Sequence, residues 1–229
     1  MRRNGIVLAI DGPAGAGKST TAQLVAKALD YLYLDTGAMY RTVGLAVVRA
    51  GANADDADAV VALAKSVAID QKAGGDGVHT FLDGEDISLM IRTPKVSDAA
   101  SRVAVHQGVR DVLVATQQAI GRDGGIVLEG RDTGTAIFPD AELKVFLVAD
   151  VAERAHRRKL EMAARGERAD VALLERQIRE RDERDRQTQL RFGPWPSEDA
   201  VLVDTTGMSI DVQVAKVVAL AQVKIQAES

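Results

Sequence analysis

Eight residues near the start of the chain have the order of a loop that binds phosphate groups. They run Gly12-Pro13-Ala14-Gly15-Ala16-Gly17-Lys18-Ser19. Glycines let the backbone curl until successive N–H groups face one point, and the lysine and hydroxyl can then reach a triphosphate and its Mg²⁺. We therefore expect Gly12 to Thr20 to bind a nucleoside triphosphate, with Lys18 at the β- and γ-phosphates and Ser19 as a ligand of Mg²⁺.

A phosphate loop alone does not distinguish among GTPases, ATPases and kinases of small molecules. A regulatory GTPase also carries Asp-x-x-Gly and a later Asn-Lys-x-Asp. Asp204-Thr205-Thr206-Gly207 fits the first pattern, but it lies near the C-terminus and the second pattern is absent. An ATPase needs an acidic residue at the end of a strand, and because Glu129 fits that description this alternative stays open.

Polar residues at the ends of predicted strands mark a place for a second substrate. In an open parallel sheet, ligands bind beyond the carboxyl ends of the strands. Such ends here carry Asp11, Asp35-Thr36 and the run Glu129-Gly130-Arg131-Asp132. Tyr40 and Arg41 follow Thr36 closely, so Arg41 and Arg131 are candidates to bind a second phosphate group, although Arg41 alone also fits an ordinary exposed arginine.

Arginines concentrate in one stretch of a chain whose net charge is −4. One interpretation is a pair of solvated helices with i,i+4 ion pairs such as Glu175–Arg179. The other is a lid that covers the triphosphate, in which Arg157 or Arg158 and Arg181 or Arg184 point inward to stabilise the charge of the transferred phosphoryl group. The arginines concerned are Arg154, Arg157, Arg158, Arg165, Arg168, Arg176, Arg179, Arg181, Arg184, Arg186 and Arg191.

Apolar runs alternate with helical patterns along most of the chain, which is typical of a parallel sheet flanked by helices. We expect Thr36 to cap the second helix. Predicted strands cover residues 6–10, 31–34, 125–129, 143–148 and 200–204, and predicted helices cover about 18–29, 36–50, 97–120, 151–165, 170–188 and the segment from 209 onward.

The segment before residue 97 has a different pattern. A helix over about 56–66 precedes short runs at 67–70, 78–82 and 86–89, separated by a glycine-rich turn at 74–77 and by Asp83-Gly84, a strong hairpin signature. The sequence therefore predicts an α/β fold with a small antiparallel-sheet insertion and a short arginine-rich helical lid. We expect one domain over 1–229, with its core in 1–50, 120–150 and 198–229, the insertion at about 51–119 and the lid at about 151–190.

Composition limits the classes of protein and partner. Hydrophobic residues make up 46% and cysteine is absent, which excludes disulfides and suits a cytoplasmic protein. No apolar run approaches about 20 residues, so we expect no membrane span. An acidic chain without aromatic residues among its basic ones is a poor match for nucleic acid, and we expect a monomer that binds small molecules.

Several longer motifs resemble bacterial cytidylate kinase, a nucleoside monophosphate kinase family. The similarity runs in order along nearly the whole chain, and these motifs are much more specific than the phosphate loop. They are residues 34–41 (LDTGAMYR), 91–97 (IRTPKVS) with Ser101, 109–110 (VR), 129–135 (EGRDTGT), 139–141 (PDA), 154–158 (RAHRR) and 181–185 (RDERD).

The resemblance implies transfer of the γ-phosphoryl group of ATP, with Mg²⁺, to CMP or dCMP. It implies that Ser101, Arg110 and Asp132 hold the cytosine. It further implies that Arg41 and Arg131 take the acceptor phosphate, that Thr36 and Tyr40 line the acceptor site and that Arg181 and Asp185 face the sugar. Lys18, Arg131, Arg158 and Arg184 are then the expected catalytic residues.

One position departs from the family pattern. The family more commonly has an arginine three residues after the match to Asp185, where this chain has Thr188. Arg186 or Arg191 would compensate, or fewer arginines hold the acceptor phosphate. Kinases for uridylate, adenylate or thymidylate stay open as rivals, as does a phosphate-loop ATPase that acts on nucleic acid.

Overall fold

A computed structural model describes residues 2–74, 77–164 and 166–228, and these fold into eight helices and eight strands besides short helical turns at Met90–Arg92 and Thr133–Ile137. The strands are β1 (Val7–Asp11), β2 (Leu32–Asp35), β3 (Ile69–Gly74), β4 (Gly77–Leu82), β5 (Glu85–Asp86), β6 (Ile126–Gly130), β7 (Leu143–Val148) and β8 (Val201–Asp204). The helices are α1 (Lys18–Leu29), α2 (Thr36–Ala50), α3 (Ala57–Ser66), α4 (Pro94–Val103), α5 (Gln107–Gly121), α6 (Val151–Ala164), α7 (Val171–Gln189) and α8 (Ile210–Glu228).

The chain divides into two compact units. The first comprises the residues up to Tyr33 together with those from Gly121 on, and the second comprises Leu34–Ile120. No helix among the described residues is long and apolar enough to span a bilayer.

The first unit is built on a five-stranded sheet in the order β2-β6-β1-β7-β8. Strand β1 pairs in parallel with both β6 and β7, and β7 pairs in parallel with β8. In this register Asp11 lies opposite Gly130 on one side and Phe146 on the other. The parallel sheet predicted from the sequence is confirmed, and the end of β1 lies at its centre.

The core of this unit lies between the sheet and helices α1 and α8. Because side chains alternate along a strand, Leu8 and Ile10 share one face of β1, and both are fully buried, as is Ile6 just before the strand. They pack with α1 residues such as Val25 and α8 residues such as Val217. Truncating a core leucine such as Leu8 to alanine is expected to cost about 3 kcal/mol of unfolding free energy.

Helices α6 and α7 pack on each other around a small apolar cluster of their own. Ala155, Leu174 and Ile178 are buried there, and Val151 and Met162 pack against them. The two arginine-rich helices predicted from the sequence are confirmed, and Arg165, which follows α6, lies outside the described residues. Because this cluster is small, polar contacts with the rest of the unit are also needed to hold the two helices in position.

The second unit contains helices α2 to α5 and a three-stranded antiparallel sheet in the order β3-β4-β5. Helices α2 and α4 touch at Gly44, where an added Cβ would lie 2.8 Å from the backbone nitrogen of Ala100. The predicted small sheet is confirmed, although β3 begins at Ile69 and continues through polar residues to Gly74. Residues 75 and 76 of the predicted turn lie outside the described residues.

Two local predictions were wrong. The long helix expected over 97–120 is two helices, α4 and α5, separated at Ala104 to His106. The break lets His106 Nε2 approach the Ala54 carbonyl at 2.8 Å, and Gly108 contacts α3 so closely that a Cβ there would lie 2.7 Å from Val61. The cap of α2 is Asp35 instead of Thr36, because the Asp35 carboxylate accepts the Ala38 N–H at 2.8 Å.

Candidate active site

The phosphate loop connects β1 to α1, as its sequence predicts. Gly12, Gly15 and Gly17 have φ values of 146°, 77° and 88°, which side-chain-bearing residues rarely adopt. Gly12 also lies against β7, since an added Cβ would be 2.2 Å from the carbonyl oxygen of Leu147. Backbone conformation therefore favours glycine at all three positions, and at Gly12 the space beside β7 requires it as well.

Lys18 is buried at the start of α1, and its Nζ donates a 2.8 Å hydrogen bond to the Pro13 carbonyl. Burial, assisted by the positive charge of Arg131, lowers the pKa of Lys18 to about 7. Glu129 and Asp11 oppose this shift through their negative charges. An amine with such a pKa gains from a nearby polyanion, because the anion replaces the lost solvation of its charged form.

Ser19 and Thr20 follow Lys18 and are exposed. The Ser19 hydroxyl donates a 2.5 Å hydrogen bond to Glu129 Oε1. Tyr33 donates a second hydrogen bond to the same oxygen at 3.3 Å. A hydroxyl and a carboxylate thus lie together at the first turn of α1.

Asp11 at the end of β1 is an acceptor for the backbone after β6. Its carboxylate accepts hydrogen bonds from Thr133 N, Thr133 Oγ1 and Gly134 N at 2.9 to 3.0 Å. Burial nevertheless raises the pKa of Asp11 to about 6. These contacts fix the turn that follows Arg131 and Asp132.

Arg131 and Asp185 contact each other within the first unit. Arg131 Nε donates to Asp185 Oδ2 at 2.9 Å, while Arg181 Nε lies 3.9 Å from the same oxygen. Asp132 is buried beside Arg131, and Thr188 on α7 is partly buried. The predicted i,i+4 relation of Arg181 and Asp185 is therefore present, but the shorter ion pair of Asp185 is with Arg131.

The arginines of α6 have different environments. Arg154 is buried and contacts the phosphate loop, since its Nη1 donates to the Ala14 carbonyl at 3.0 Å. Arg157 is partly buried and donates to the Thr205 carbonyl at 2.7 Å. Arg158 on α6 is exposed.

Arg184 on α7 is exposed like Arg158. Within residues 2–74, 77–164 and 166–228, neither of these two side chains makes a hydrogen bond or ion pair. The expected i,i+4 contact of Glu175 with Arg179 is present at 3.8 Å, on the exposed side of α7. The predicted i,i+4 ion pair on a solvated helix face is thus present, and the lid over the triphosphate stays a prediction.

In the second unit, the start of α2 holds three of the predicted site residues. Thr36 is buried, and Tyr40 and Arg41 are partly buried. Arg41 Nη2 donates to Asp35 Oδ2 at 2.8 Å. Gln71 of β3 makes two hydrogen bonds to the backbone of Asp35, at 2.7 and 3.0 Å, so the small sheet supports the start of this helix.

The other predicted residues of the second unit lie on α4 and α5. Ser101 is exposed on α4, where its hydroxyl donates to the Ser97 carbonyl at 3.2 Å. Arg110 on α5 is buried, with 3% of its surface exposed. A buried arginine on a helix is uncommon unless it is paired.

The sequence did not predict that Arg154 contacts the phosphate loop or that Arg157 donates to the carbonyl of Thr205. The prediction selected Arg157 or Arg158 as the inward arginine of α6, and it considered Thr205 only as part of a GTPase pattern. The spacing of Val151, Arg154 and Ala155, at i, i+3 and i+4, places Arg154 on the apolar face of α6. That spacing was the available sign that Arg154 is the buried arginine.

The chain matches the family model described as cytidylate kinase over residues 8–223. A protein named cytidylate kinase from Geobacillus sp. (strain WCH70) is 43% identical over 224 residues, which is 97% of this chain and 99% of that protein. Another of the same name from Pelotomaculum thermopropionicum is 46% identical, covering 93% of this chain and 94% of that one.

Among solved structures, an uncharacterized protein from Eubacterium ventriosum is similar with a TM-score of 0.52. Its sequence is 11% identical, and the match covers 95% of this chain and 98% of that chain. At this identity the likeness concerns the fold alone.

Proposed function

Because this chain belongs to the cytidylate kinase family, a family of phosphotransferases, we propose that it transfers the γ-phosphoryl group of ATP to CMP or dCMP. The products are ADP and CDP or dCDP. The observation that carries the proposal is the phosphate loop with buried Lys18 at its end, within a chain that matches the family over residues 8–223.

The donor ATP binds along Gly12 to Thr20. Backbone N–H groups of the loop and the start of α1 form an anion site for its phosphates. Lys18 contacts the β- and γ-phosphates, and its pKa near 7 in the free protein rises when the polyanion is bound. The buried position of Lys18 supports this role, because a buried charge interacts strongly with its ligand.

The oxygen atoms of Ser19 and Glu129 fit Mg²⁺, which prefers hard oxygen ligands and keeps several waters and substrate phosphates in its shell. Ser19 would ligate the ion, and Glu129 would hold the Ser19 hydroxyl or a bound water. When bound, the ion supplies charge neutralisation at the phosphates. The 2.5 Å contact between the two side chains supports this assignment.

The acceptor is the phosphate group of CMP. One of its oxygens attacks the γ-phosphorus in line, forming a new P–O bond as the bond from the γ-phosphorus to the bridging oxygen of ADP breaks. The transition state is loose and negatively charged, so positioned cations are the main catalytic groups. We assign this role to Lys18, Arg131, Arg158 and Arg184.

The nucleoside of CMP is recognised through its base and sugar. We assign Ser101, Arg110 and Asp132 to the cytosine and Arg181 and Asp185 to the sugar. A carboxylate that accepts a hydrogen bond from the exocyclic amine of cytosine discriminates against uracil, which has a carbonyl group at the same ring position. Arg41 and Arg131 bind the acceptor phosphate, with Thr36 and Tyr40 beside it.

We also propose one functional domain over the whole chain. Residues 1–50, 120–150 and 198–229 provide the core, about 51–119 the acceptor-binding insertion and about 151–190 the lid. The separate apolar cluster of α6 and α7 supports the last of these assignments, since it lets the pair act as one body.

A coupled assay of ADP release tests the function. The purified chain is incubated with ATP, Mg²⁺ and one of CMP, dCMP, UMP, AMP or dTMP. ADP release that requires CMP or dCMP, and that Lys18→Ala abolishes, is the expected result. Release with UMP, AMP or dTMP in place of CMP overturns the substrate assignment, and release without any monophosphate indicates an ATPase.

A further inference from the structure

Two carbonyl groups of the phosphate loop accept hydrogen bonds from charged side chains. Lys18 Nζ donates to Pro13 at 2.8 Å, and Arg154 Nη1 donates to Ala14 at 3.0 Å. In a planar trans peptide unit the N–H of the next residue points away from the preceding carbonyl. Holding the Ala14 carbonyl therefore fixes the direction of the Gly15 N–H.

Gly15 needs such a constraint more than most residues. Its φ of 77° lies in a region that glycine enters freely, and glycine has the largest conformational freedom to lose. Its Cα lies against Arg154, because an added Cβ would be 3.4 Å from Arg154 Cβ. The Arg154 side chain thus limits both the space and the orientation of this peptide.

Arg154 is itself held by α7. Its Nη1 and Nη2 atoms donate to the two carboxylate oxygens of Asp182 at 2.9 and 2.6 Å, and its Nε donates to the Ala149 carbonyl at 3.0 Å. Only 4% of Arg154 is exposed. The bidentate pair neutralises a buried guanidinium and fixes its plane.

These contacts occupy four of the five N–H groups of Arg154. An arginine bound in this way has little capacity left for a phosphate, unlike Arg158 and Arg184. Arg154 contacts the loop at a carbonyl oxygen. An anion would be bound by the loop N–H groups, which point the opposite way from the carbonyl groups of the same peptides. Arg154 is therefore placed to shape the anion site.

We propose that Arg154 and Asp182 are positioning residues that orient the phosphate-loop amides for the polyphosphate of the donor nucleotide. Asp182 acts through Arg154, and it makes the geometry of the loop depend on the position of α7. The inference rests on the proposed function only in taking ATP as the donor. Its central measurement is ATP binding in the absence of an acceptor, and that result stands whether or not CMP is the acceptor.

Asp182→Asn tests the pair, because asparagine keeps the shape but loses the charge and one acceptor oxygen. Glu180→Gln, at an exposed position of the same helix, is the matched control. By calorimetry with Mg²⁺, we expect Asp182→Asn to weaken ATP binding about tenfold, as the loss of a charged hydrogen bond does. CMP affinity and Glu180→Gln should stay within about twofold of the unchanged protein.

A double-mutant cycle with Arg154→Lys tests whether the two residues act as one unit. Lysine keeps the charge but cannot serve both carboxylate oxygens and the Ala14 carbonyl together. If the two residues act as one unit, the double variant binds ATP about as weakly as either single variant. Steady-state kinetics of folded variants should show a raised KM for ATP with a smaller change in kcat.

Two results overturn the proposal. One is ATP affinity within twofold of the unchanged protein in both single variants, measured well below their melting temperatures. The other is an equal loss of ATP and CMP affinity that follows the melting temperature, which is what a purely structural pair produces. If Asp182→Asn does not fold, Arg154→Lys decides between the same outcomes.

Discussion

A hydrogen bond joins Ser19, at the end of the phosphate loop, to Glu129 of strand β6. Ser19 is exposed in the first turn of α1, and Glu129 is buried near the end of β6. Ser19 Oγ lies 2.5 Å from Glu129 Oε1. Because β6 is paired with β1, the strand that leads into the loop, the carboxylate has a fixed position relative to the hydroxyl. The pair therefore offers two oxygens in a defined arrangement next to the proposed phosphate site.

Glu129→Gln should raise the Mg²⁺ concentration needed for half-maximal activity about tenfold, because residues that hold a metal ligand typically contribute this much. Titration of Mg²⁺ at saturating ATP measures it. Glu198→Gln, at an exposed position, is the control. An unchanged Mg²⁺ requirement in Glu129→Gln would remove Glu129 from the metal site.

ATP affinity should fall as pH rises above 7, because the pKa of Lys18 is lowered to about 7. Above that pH the free amine is largely neutral, so binding the polyanion must take up a proton, and Kd rises by up to about tenfold per pH unit. Calorimetry in buffers of different ionisation enthalpy measures this uptake. Lys18→Met should remove the uptake above pH 7.

The same shift acts on stability with the opposite sign. Between the folded pKa near 7 and the ordinary value of 10.5, the unfolded chain binds the proton and the folded one does not. The contribution of Lys18 to the free energy of unfolding therefore rises with pH across this window. A contribution that falls there, measured against Lys18→Met by urea unfolding, contradicts the lowered pKa.

Arg158→Gln and Arg184→Gln should each lower kcat about a hundredfold, the size of effect expected for one donor to a transition-state oxyanion. Both side chains are exposed and therefore accessible to a bound nucleotide. KM for CMP should change little. Arg176→Gln, at an exposed arginine elsewhere on α7, is the control. If kcat of the Arg158 or Arg184 variant equals that of Arg176→Gln, the substituted arginine does not have the proposed catalytic role.

Asp132→Ala should raise the Kd for CMP about tenfold or more, since an unpaired group in a polar recognition site is costly. The ratio of CMP to UMP activity should fall at the same time. Asp123→Ala, at an exposed aspartate, is the control. Unchanged CMP kinetics in Asp132→Ala would exclude Asp132 from base recognition.

The contribution of Asp11 to the free energy of unfolding should fall as pH rises from about 4 to 6. Burial raises its pKa to about 6, so between 3.8 and 6 the folded protein holds a proton that the unfolded chain has released. The expected loss relative to Asp11→Asn is about 3 kcal/mol, at about 1.4 kcal/mol per pKa unit, and is complete above pH 6. Urea unfolding at several pH values measures it, with exposed Asp211→Asn as the control; equal slopes for the protein and Asp11→Asn contradict the shift.

The fold was largely predictable because its determinants are local. The continuous apolar run before Gly12 and the glycines of the loop fix a strand, a turn and a helix without help from distant residues. The Asp83-Gly84 turn likewise predicts its hairpin, and Asp83 adopts the positive φ of 52° that such turns need. Periodicity alone could not reveal the break at Ala104, because the residues on both sides of it favour helix.

The contacts of individual arginines were not predictable, because they depend on partners far apart in sequence. Arg154 lies 28 residues from Asp182 and 140 from Ala14. Arg131 pairs with Asp185 across 54 residues, while the local i,i+4 partner Arg181 lies 3.9 Å from the same carboxylate oxygen. Helical spacing identifies which side chains share a face, but only the tertiary structure decides which ones meet.

The contact between Gly12 and Leu147 limits how far the phosphate loop can be treated as a transferable part. A Cβ at Gly12 would lie 2.2 Å from a carbonyl of the neighbouring strand, so the loop fits only where β7 follows the same path. Grafting the eight loop residues onto another strand and helix would reproduce the sequence without this neighbour. For protein engineers, the smallest portable unit is the loop together with β1, β7 and the start of α1.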